Sequence, residues 1–254
     1  APQVGQPAHD RAADAVDDSH DAHRGGRHQR AVLRASFAPA VFAQGVGNGG
    51  HIHLSAWRES ANLHAGGDRR YGMTADAESF AAGILAHLPA LTAVTAPSPA
   101  SYFRLQPSQW AGVFTAWGRE TREAAVRVVT GTAGQRAQAA NLEVKPVDLA
   151  ANPYLALGSL IAAGLDGLTS SAALPEETTG DPAHLGAAEA ETRGVRRLPT
   201  SLAESVAEFR KDTQLRAALG PVLADAVIAV REGEIAAVAE LDDEQVAAVY
   251  RWKY

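Results

Sequence analysis

The sequence predicts an α+β fold, in which a curved antiparallel sheet carries packed helices and is followed by a helical C-terminal region. Three observations lead to it. Short runs of alternating apolar and polar residues recur between residues 33 and 146. Two longer stretches, 76–91 and 153–168, carry apolar residues at helical spacing. From Ser201 onward the pattern is helical almost throughout.

In chain order, residues 1–30 read as a poorly ordered or degraded segment. Residues 17–28 have no apolar periodicity and include Gly25 and Gly26. Four of the nine histidines fall between His9 and His28, without the spacing that would fix a metal site. A single domain is expected over 31–254. Its strands are predicted near 33–41, 50–57, 112–117, 124–130 and 140–146, with 113–117 and 124–129 flanking a polar turn. Phe80, Ile84, Leu88 and Leu91 mark the first long helix, which Pro97 and Pro99 follow. Asn152 and Pro153 read as a helix start, because proline lacks only an N–H that the first turn cannot use. Residues 180–197 read as an acidic, irregular loop. Ser201 and Glu204 have capping-box spacing, with Leu202, Val206 and Phe209 as the apolar face. Helices over about 221–241 and around Val246 and Val249 complete the chain. Trp57, Trp117 and Trp252 are assigned to packing.

Composition narrows the function. The chain has 254 residues, a net charge of −6 and a pI near 5.8, which argues against a nucleic-acid partner. The sequence has no run of 18 apolar residues and no basic-then-apolar leader, so the reading is a cytoplasmic protein without a membrane partner. With zero cysteines, metal ligands must come from histidine and carboxylates. Lysine is rare, standing only at Lys145, Lys211 and Lys253.

Residues 46–55, Val-Gly-Asn-Gly-Gly-His-Ile-His-Leu-Ser, dominate the rest. On a strand, His51 and His53 project from one face, and imidazole is a common transition-metal ligand. Glycines before them let backbone or a phosphate come close, having no Cβ. By itself the pair also fits a structural role. Arg104, Arg122 and Arg127 add guanidinium forks suited to carboxylate or phosphate. A strand at 141–145 puts Asn141, Glu143 and Lys145 on one face. Imidazole, carboxylate and arginines together describe a divalent-cation nucleotide site. The blander alternatives are a solvated strand edge for Arg122 and Arg127, and a salt bridge for Glu143 with Lys145.

Residues 47–55, 101–105, 117–127 and 141–168 resemble the catalytic domain of glutamine synthetases. The clearest match is Glu-Val-Lys-Pro-Val-Asp-Leu-Ala-Ala-Asn-Pro-Tyr over 143–154, with Ala-Gly-Leu-Asp-Gly at 163–167. The likeness runs from about Leu33 to the C-terminus and is nearer in wording to the γ-glutamyl-amine ligase and FluG-like branch. The resemblance implies ATP and Mg2+ or Mn2+ as cofactors, glutamate and ammonia or an organic amine as substrates, and a ring homo-oligomer in the parent family. It implies metal-ligand roles for His51 and Glu143, on different metals, and catalytic roles for Arg104 and Arg122. Gly47, Arg104, Trp110 and Lys145 fall at substrate positions, and His53, Ser55, Arg122 and Arg127 at nucleotide positions.

Departures from the family pattern sharpen the expectation. Trp110 stands where a glutamate is usual, offering an apolar, cation–π surface in place of a carboxylate for ammonium. The same ring could simply cap the pocket. Lys145 replaces an arginine. The family's N-terminal β-grasp domain and upstream metal glutamates have no counterpart before His51. The expectation is therefore a truncated ATP-dependent ligase with little activity, or a non-catalytic module that retains the fold. A small HxH metallohydrolase is the weaker third reading, leaving the arginines and the 152–167 match unexplained.

Overall fold

The structure is a computed structural model that describes residues 35–253. The expectation for residues 1–30 lies outside them. From Ser36 onward the chain forms one unit.

Its elements begin with β1 (Gly49–Leu54), β2 (Trp57–Arg58) and β3 (Ala61–Asn62), followed by α1 (Ala75–Thr95) and α2 (Ser101–Arg104). Then come β4 (Trp117–Arg119), β5 (Val126–Val129), α3 (Arg136–Ala139), β6 (Asn141–Asp148) and α4 (Pro153–Ser170). The C-terminal part holds α5 (Ala187–Thr192), α6 (Leu202–Lys211), α7 (Thr213–Leu219), α8 (Pro221–Ala237) and α9 (Asp243–Tyr250). The α+β class and helical C-terminus agree with the sequence.

The main sheet runs β1-β6-β5-β4, and it is mixed. β6 is antiparallel to both β1 and β5, but β4 runs parallel to β5. The predicted strand at 112–117 is displaced for a physical reason. Residues 113–115 are already paired elsewhere: the Thr115 N–H donates to Arg196 O at 2.8 Å and the Leu198 N–H to Val113 O at 2.9 Å. β4 therefore starts at Trp117, and Glu120, with φ 55°, turns the chain back toward β5. The strand expected at 33–41 is reduced, within the described residues, to one bridge between Ala40 and Gly47. The strand expected over 50–57 divides into β1 and β2.

One face of this sheet is covered by α1, and α4 packs against α1. Val126, Val128, Leu142 and Val144 point into the core with Ile84, Leu88, Leu91, Leu160 and Phe209. Glycines set the approach of α1 to α4: a Cβ on Gly83 would lie 2.2 Å from Ala163 O, and one on Gly167 2.2 Å from Ser79 O. Backbones can approach that closely only where both helices lack side chains at the crossing. α1 is long and apolar enough to cross a membrane, but it is mostly buried as the core helix. It runs through Pro89, beyond the predicted end at 91.

Asn152 caps α4 through its side chain, which accepts from the Tyr154 and Leu155 N–H groups. Ser201 caps α6 by accepting from the Glu204 N–H, but the Glu204 carboxylate reaches back to the Thr200 N–H instead of completing the box on Ser201. The loop at 180–197 contains α5, and the helix expected over 221–241 ends at Ala237. Trp117 is buried, whereas Trp57 and Trp252 are 44% and 48% exposed and Val249 also faces solvent. These three side chains are not core residues.

Candidate active site

Antiparallel register assembles the polar face opposite the core. His53 on β1 and Arg127 on β5 both stand directly across from Glu143 on the central strand β6. Side chains opposite one another in adjacent strands share a face, so the three converge although they are far apart in sequence. Lys145 joins them as the next residue but one on the same strand. His51 sits at a register shift between Gly50 and Ile52, which turns its ring toward Glu143.

The contacts are direct. His51 Nδ1 lies 2.6 Å from Glu143 Oε1, and His53 Nε2 and Lys145 Nζ each lie 3.8 Å from the same oxygen. The Arg127 guanidinium pairs with Oε2. His53 Nδ1 is fixed 2.8 Å from Asn141 Oδ1. Glu143 is only 2% exposed. Burial pushes its carboxyl up, but the His51 hydrogen bond and the charges of Lys145 and Arg127 outweigh it and hold the pKa at about 2. Burial pulls the Lys145 ammonium down, with Arg127 and Arg122 adding to the effect and Glu143 opposing it. The centre is thus one ionised carboxylate among cations and imidazoles.

Beyond His51 the site opens into a cleft of about 610 Å3 whose lining includes Gly47, Gly49, Phe103, Arg104, Gln106 and Trp110. No aspartate or glutamate lines it among the described residues. Arg104 is 8% exposed and is tied down: its Nε and one terminal nitrogen lie 3.0 and 2.7 Å from Asp148 Oδ1, and the latter also donates to Val147 O. Burial pushes the Asp148 carboxyl up, and Arg104 opposes that. A Cβ on Gly49 would lie 2.6 Å from the other terminal nitrogen of Arg104. The close approach that the glycines permit is therefore that of an arginine side chain.

Trp110 is 61% exposed and has φ 55°, on a loop where Ser108 and Gly112 also adopt positive φ. The Arg122 guanidinium carbon sits 5.8 Å from its ring centroid, and the Trp110 backbone N–H donates to Glu123. Arg122 has no carboxylate partner among the described residues. Ser55 continues the outward row of β1, and its Oγ accepts from the Trp57 indole N–H at 2.9 Å.

The face thus gathers His51, His53, Arg127, Glu143 and Lys145 by direct contact. Gly47, Arg104 and Trp110 are joined through the cleft wall, and Arg122 through Trp110. Ser55 lies just past the end of β1. Asp148, the anchor of Arg104, and Asn141, the partner of His53, were not assigned these roles from sequence; the signal for Asp148 was a carboxylate at the buried end of β6. His51 and Glu143, expected from the resemblance to be metal ligands, are in direct contact.

The donor chemistry fits a divalent cation in part. A buried carboxylate that is ionised at neutral pH, beside an imidazole, suits Mg2+ or Mn2+, but such ions take about six ligands. No group of three or more His, Asp or Glu side chains poised for a metal exists among the described residues.

Residues 12–250 match the family model for the glutamine synthetase catalytic domain. The chain belongs to the glutamine synthetase family. It is 77% identical over 222 residues to the γ-glutamylpolyamine synthetase GlnA3 of Streptomyces coelicolor, covering 87% of this chain and 48% of that protein. It is 37% identical over 186 residues to the glutamine synthetase of Thermococcus kodakarensis, covering 73% of this chain and 40% of that one. A crystal structure described as a novel glutamine synthase homolog superposes with a TM-score of 0.74 at 32% identity, over 86% of this chain and 48% of the other. The chain spans about half the length of these glutamine synthetase relatives.

Proposed function

We propose that this chain carries the catalytic face of an ATP-dependent ligase that joins the γ-carboxylate of glutamate to an amine through γ-glutamyl phosphate. The observation that supports the reading most is Glu143, held ionised at the junction of His51, His53, Arg127 and Lys145. In the first step a carboxylate oxygen of glutamate attacks the γ-phosphorus of ATP and ADP leaves. In the second, an amine nitrogen attacks the acyl carbon and phosphate leaves. The chain's part is to position and to neutralise charge. His51 and Glu143 are the residues to hold Mg2+ or Mn2+, which would offset phosphate charge. Arg122, which has no carboxylate partner among the described residues, is available to a transferring phosphoryl group, with Arg127 on the nucleotide side together with His53 and Ser55. Arg104, braced by Asp148, presents one guanidinium nitrogen to glutamate near Gly47 and Gly49.

An organic amine is the preferred acceptor. Among the described residues the cleft is lined by no carboxylate to bind and deprotonate ammonium, and Trp110, Phe103 and Val46 supply apolar surface for a carbon chain. The name of the Streptomyces relative points to polyamines.

A second reading, a binding module with little turnover, is favoured by the incomplete metal-ligand set among the described residues. In that case residues 1–254 hold ATP and metal loosely. Glutamate-dependent phosphate release from ATP, assayed with ammonium, spermidine and putrescine, separates the two. Amine-stimulated release that disappears in Glu143→Gln supports the ligase. ATP binding by calorimetry with no release under any condition supports the module.

A further inference from the structure

A second cavity, of about 330 Å3, lies at the opposite edge of the sheet, and no residue lines both it and the cleft of His51. Its walls include His64, Tyr71, Arg119, Thr130 and Arg136. Arg119 ends the edge strand β4, Arg136 opens α3, and His64 follows β3, so three separate segments bring these groups together.

Two features of the wall are unmet among the described residues. Neither Arg119 nor Arg136 has a carboxylate within ion-pair distance among the described residues. The nearby carboxylate, Glu177, is engaged by the Tyr71 hydroxyl and by the Arg119 backbone N–H. The Arg119 guanidinium carbon instead rests 4.7 Å from the Tyr71 ring centroid, which aligns it without neutralising it. His64 is 2% exposed, yet neither of its ring nitrogens has a hydrogen-bond partner among the described residues. Burial holds that imidazole at a pKa of about 4, so at neutral pH it is an uncharged ring with one donor and one acceptor. Buried polar atoms are ordinarily satisfied, and like charges converging on one cavity repel unless an anion sits between them.

We propose that this cavity is a second anion site, taking a small multiply charged oxyanion of the phosphate class between Arg119 and Arg136. The Thr130 hydroxyl and the His64 imidazole complete its hydrogen bonds. A volume near the lower end for small-molecule pockets admits a phosphate carrying a short organic body. The proposal does not depend on the ligase reading, because none of these residues belongs to the Glu143 face.

The test is calorimetric titration of the full chain, at constant ionic strength, with inorganic phosphate and with glycerol 3-phosphate. An Arg119→Gln/Arg136→Gln double variant is expected to bind at least about tenfold more weakly, while Glu143→Gln binds as the wild type does. Histidine imidazole NMR gives a readout independent of substitution, with His64 resonances moving on phosphate addition. Tighter binding of the ester assigns the site to phosphorylated metabolites, and equal binding to free phosphate. Unchanged affinity in the double variant, shifts confined to His51 and His53, or no measurable binding overturns the proposal.

Discussion

A Cβ placed on Gly47 would stand 2.2 Å from Cγ of Arg104. The glycine thus makes room for the aliphatic stem of an arginine whose head is braced on Asp148. Gly47→Ala should force that stem to move, at a cost of about 1–3 kcal/mol as overpacking usually does. On α4, a Cβ added to Gly158 would meet nothing within 4 Å, so Gly158→Ala should be neutral or stabilise by up to about 1 kcal/mol. Chemical denaturation of the pair checks this. Equal effects from both substitutions would contradict the packing argument.

Glu143 should write itself into the acid limb of the stability profile. Its folded-state pKa of about 2 lies below the ordinary glutamate value of 4.5. A depressed carboxyl contributes stability that is fully present above its unfolded pKa and is lost as pH falls through the folded one. The window is therefore roughly pH 4.5 down to 2, and the contribution is on the order of 3 kcal/mol. Glu143→Gln should flatten the wild-type decline in that window, measured by urea unfolding at stepped pH. An unchanged slope would count against the paired-carboxylate account.

His87 should act at the other end. Its Nδ1 lies 2.5 Å from Asp212 and its Nε2 3.1 Å from Asp166, tying α1 to α4 and to the start of α7. The hydrogen bond to Asp212 raises its pKa most, burial opposes, and Asp166 adds to the rise. A raised histidine contributes stability that is present below its unfolded value of about 6.5 and is lost as pH climbs through the folded value. Wild-type stability should therefore fall as pH rises above about 6.5, and His87→Gln should lose most of that slope. Two-dimensional NMR of the imidazole would report the folded pKa directly.

Trp110 bears on acceptor choice. With Arg122 near one face of its ring, it leaves the remaining indole surface to the cleft. In a ligase-competent form of the protein, Trp110→Glu should raise kcat/KM for ammonium relative to spermidine by about tenfold or more, corresponding to about 1.4 kcal/mol in transition-state binding. Trp110→Ala should weaken spermidine without helping ammonium. Competition between the two amines in one reaction reads the ratio, and no change in it would remove Trp110 from specificity.

Arg104 and Asp148 form a buried pair, and cutting one partner leaves the other charge stranded. Asp148→Asn should cost about 3–5 kcal/mol, more than most single substitutions. A thermal melt displaced by less than about a degree would show that Arg104 is held by something else.

Sequence alone determined the alternation of β1 and β6, the periodicity of α1 and α4, the Asn152 cap and the family likeness, because these depend on neighbours within a few residues. It also put His51 and His53 on one strand face, and Asn141, Glu143 and Lys145 on one face of another, since strand period is two. Whether those faces meet was decided only by tertiary structure. The β1-β6-β5 order and its register bring His53 and Arg127 across from Glu143, and hydrogen bonding between distant segments sets that register. The same reason explains what the sequence misplaced. Residues 113–115 alternate like a strand of the main sheet, but their hydrogen bonds go to residues 196–198, and β4 begins later and runs parallel. Local pattern states which residues can pair, and the partner that satisfies them is chosen by the whole chain.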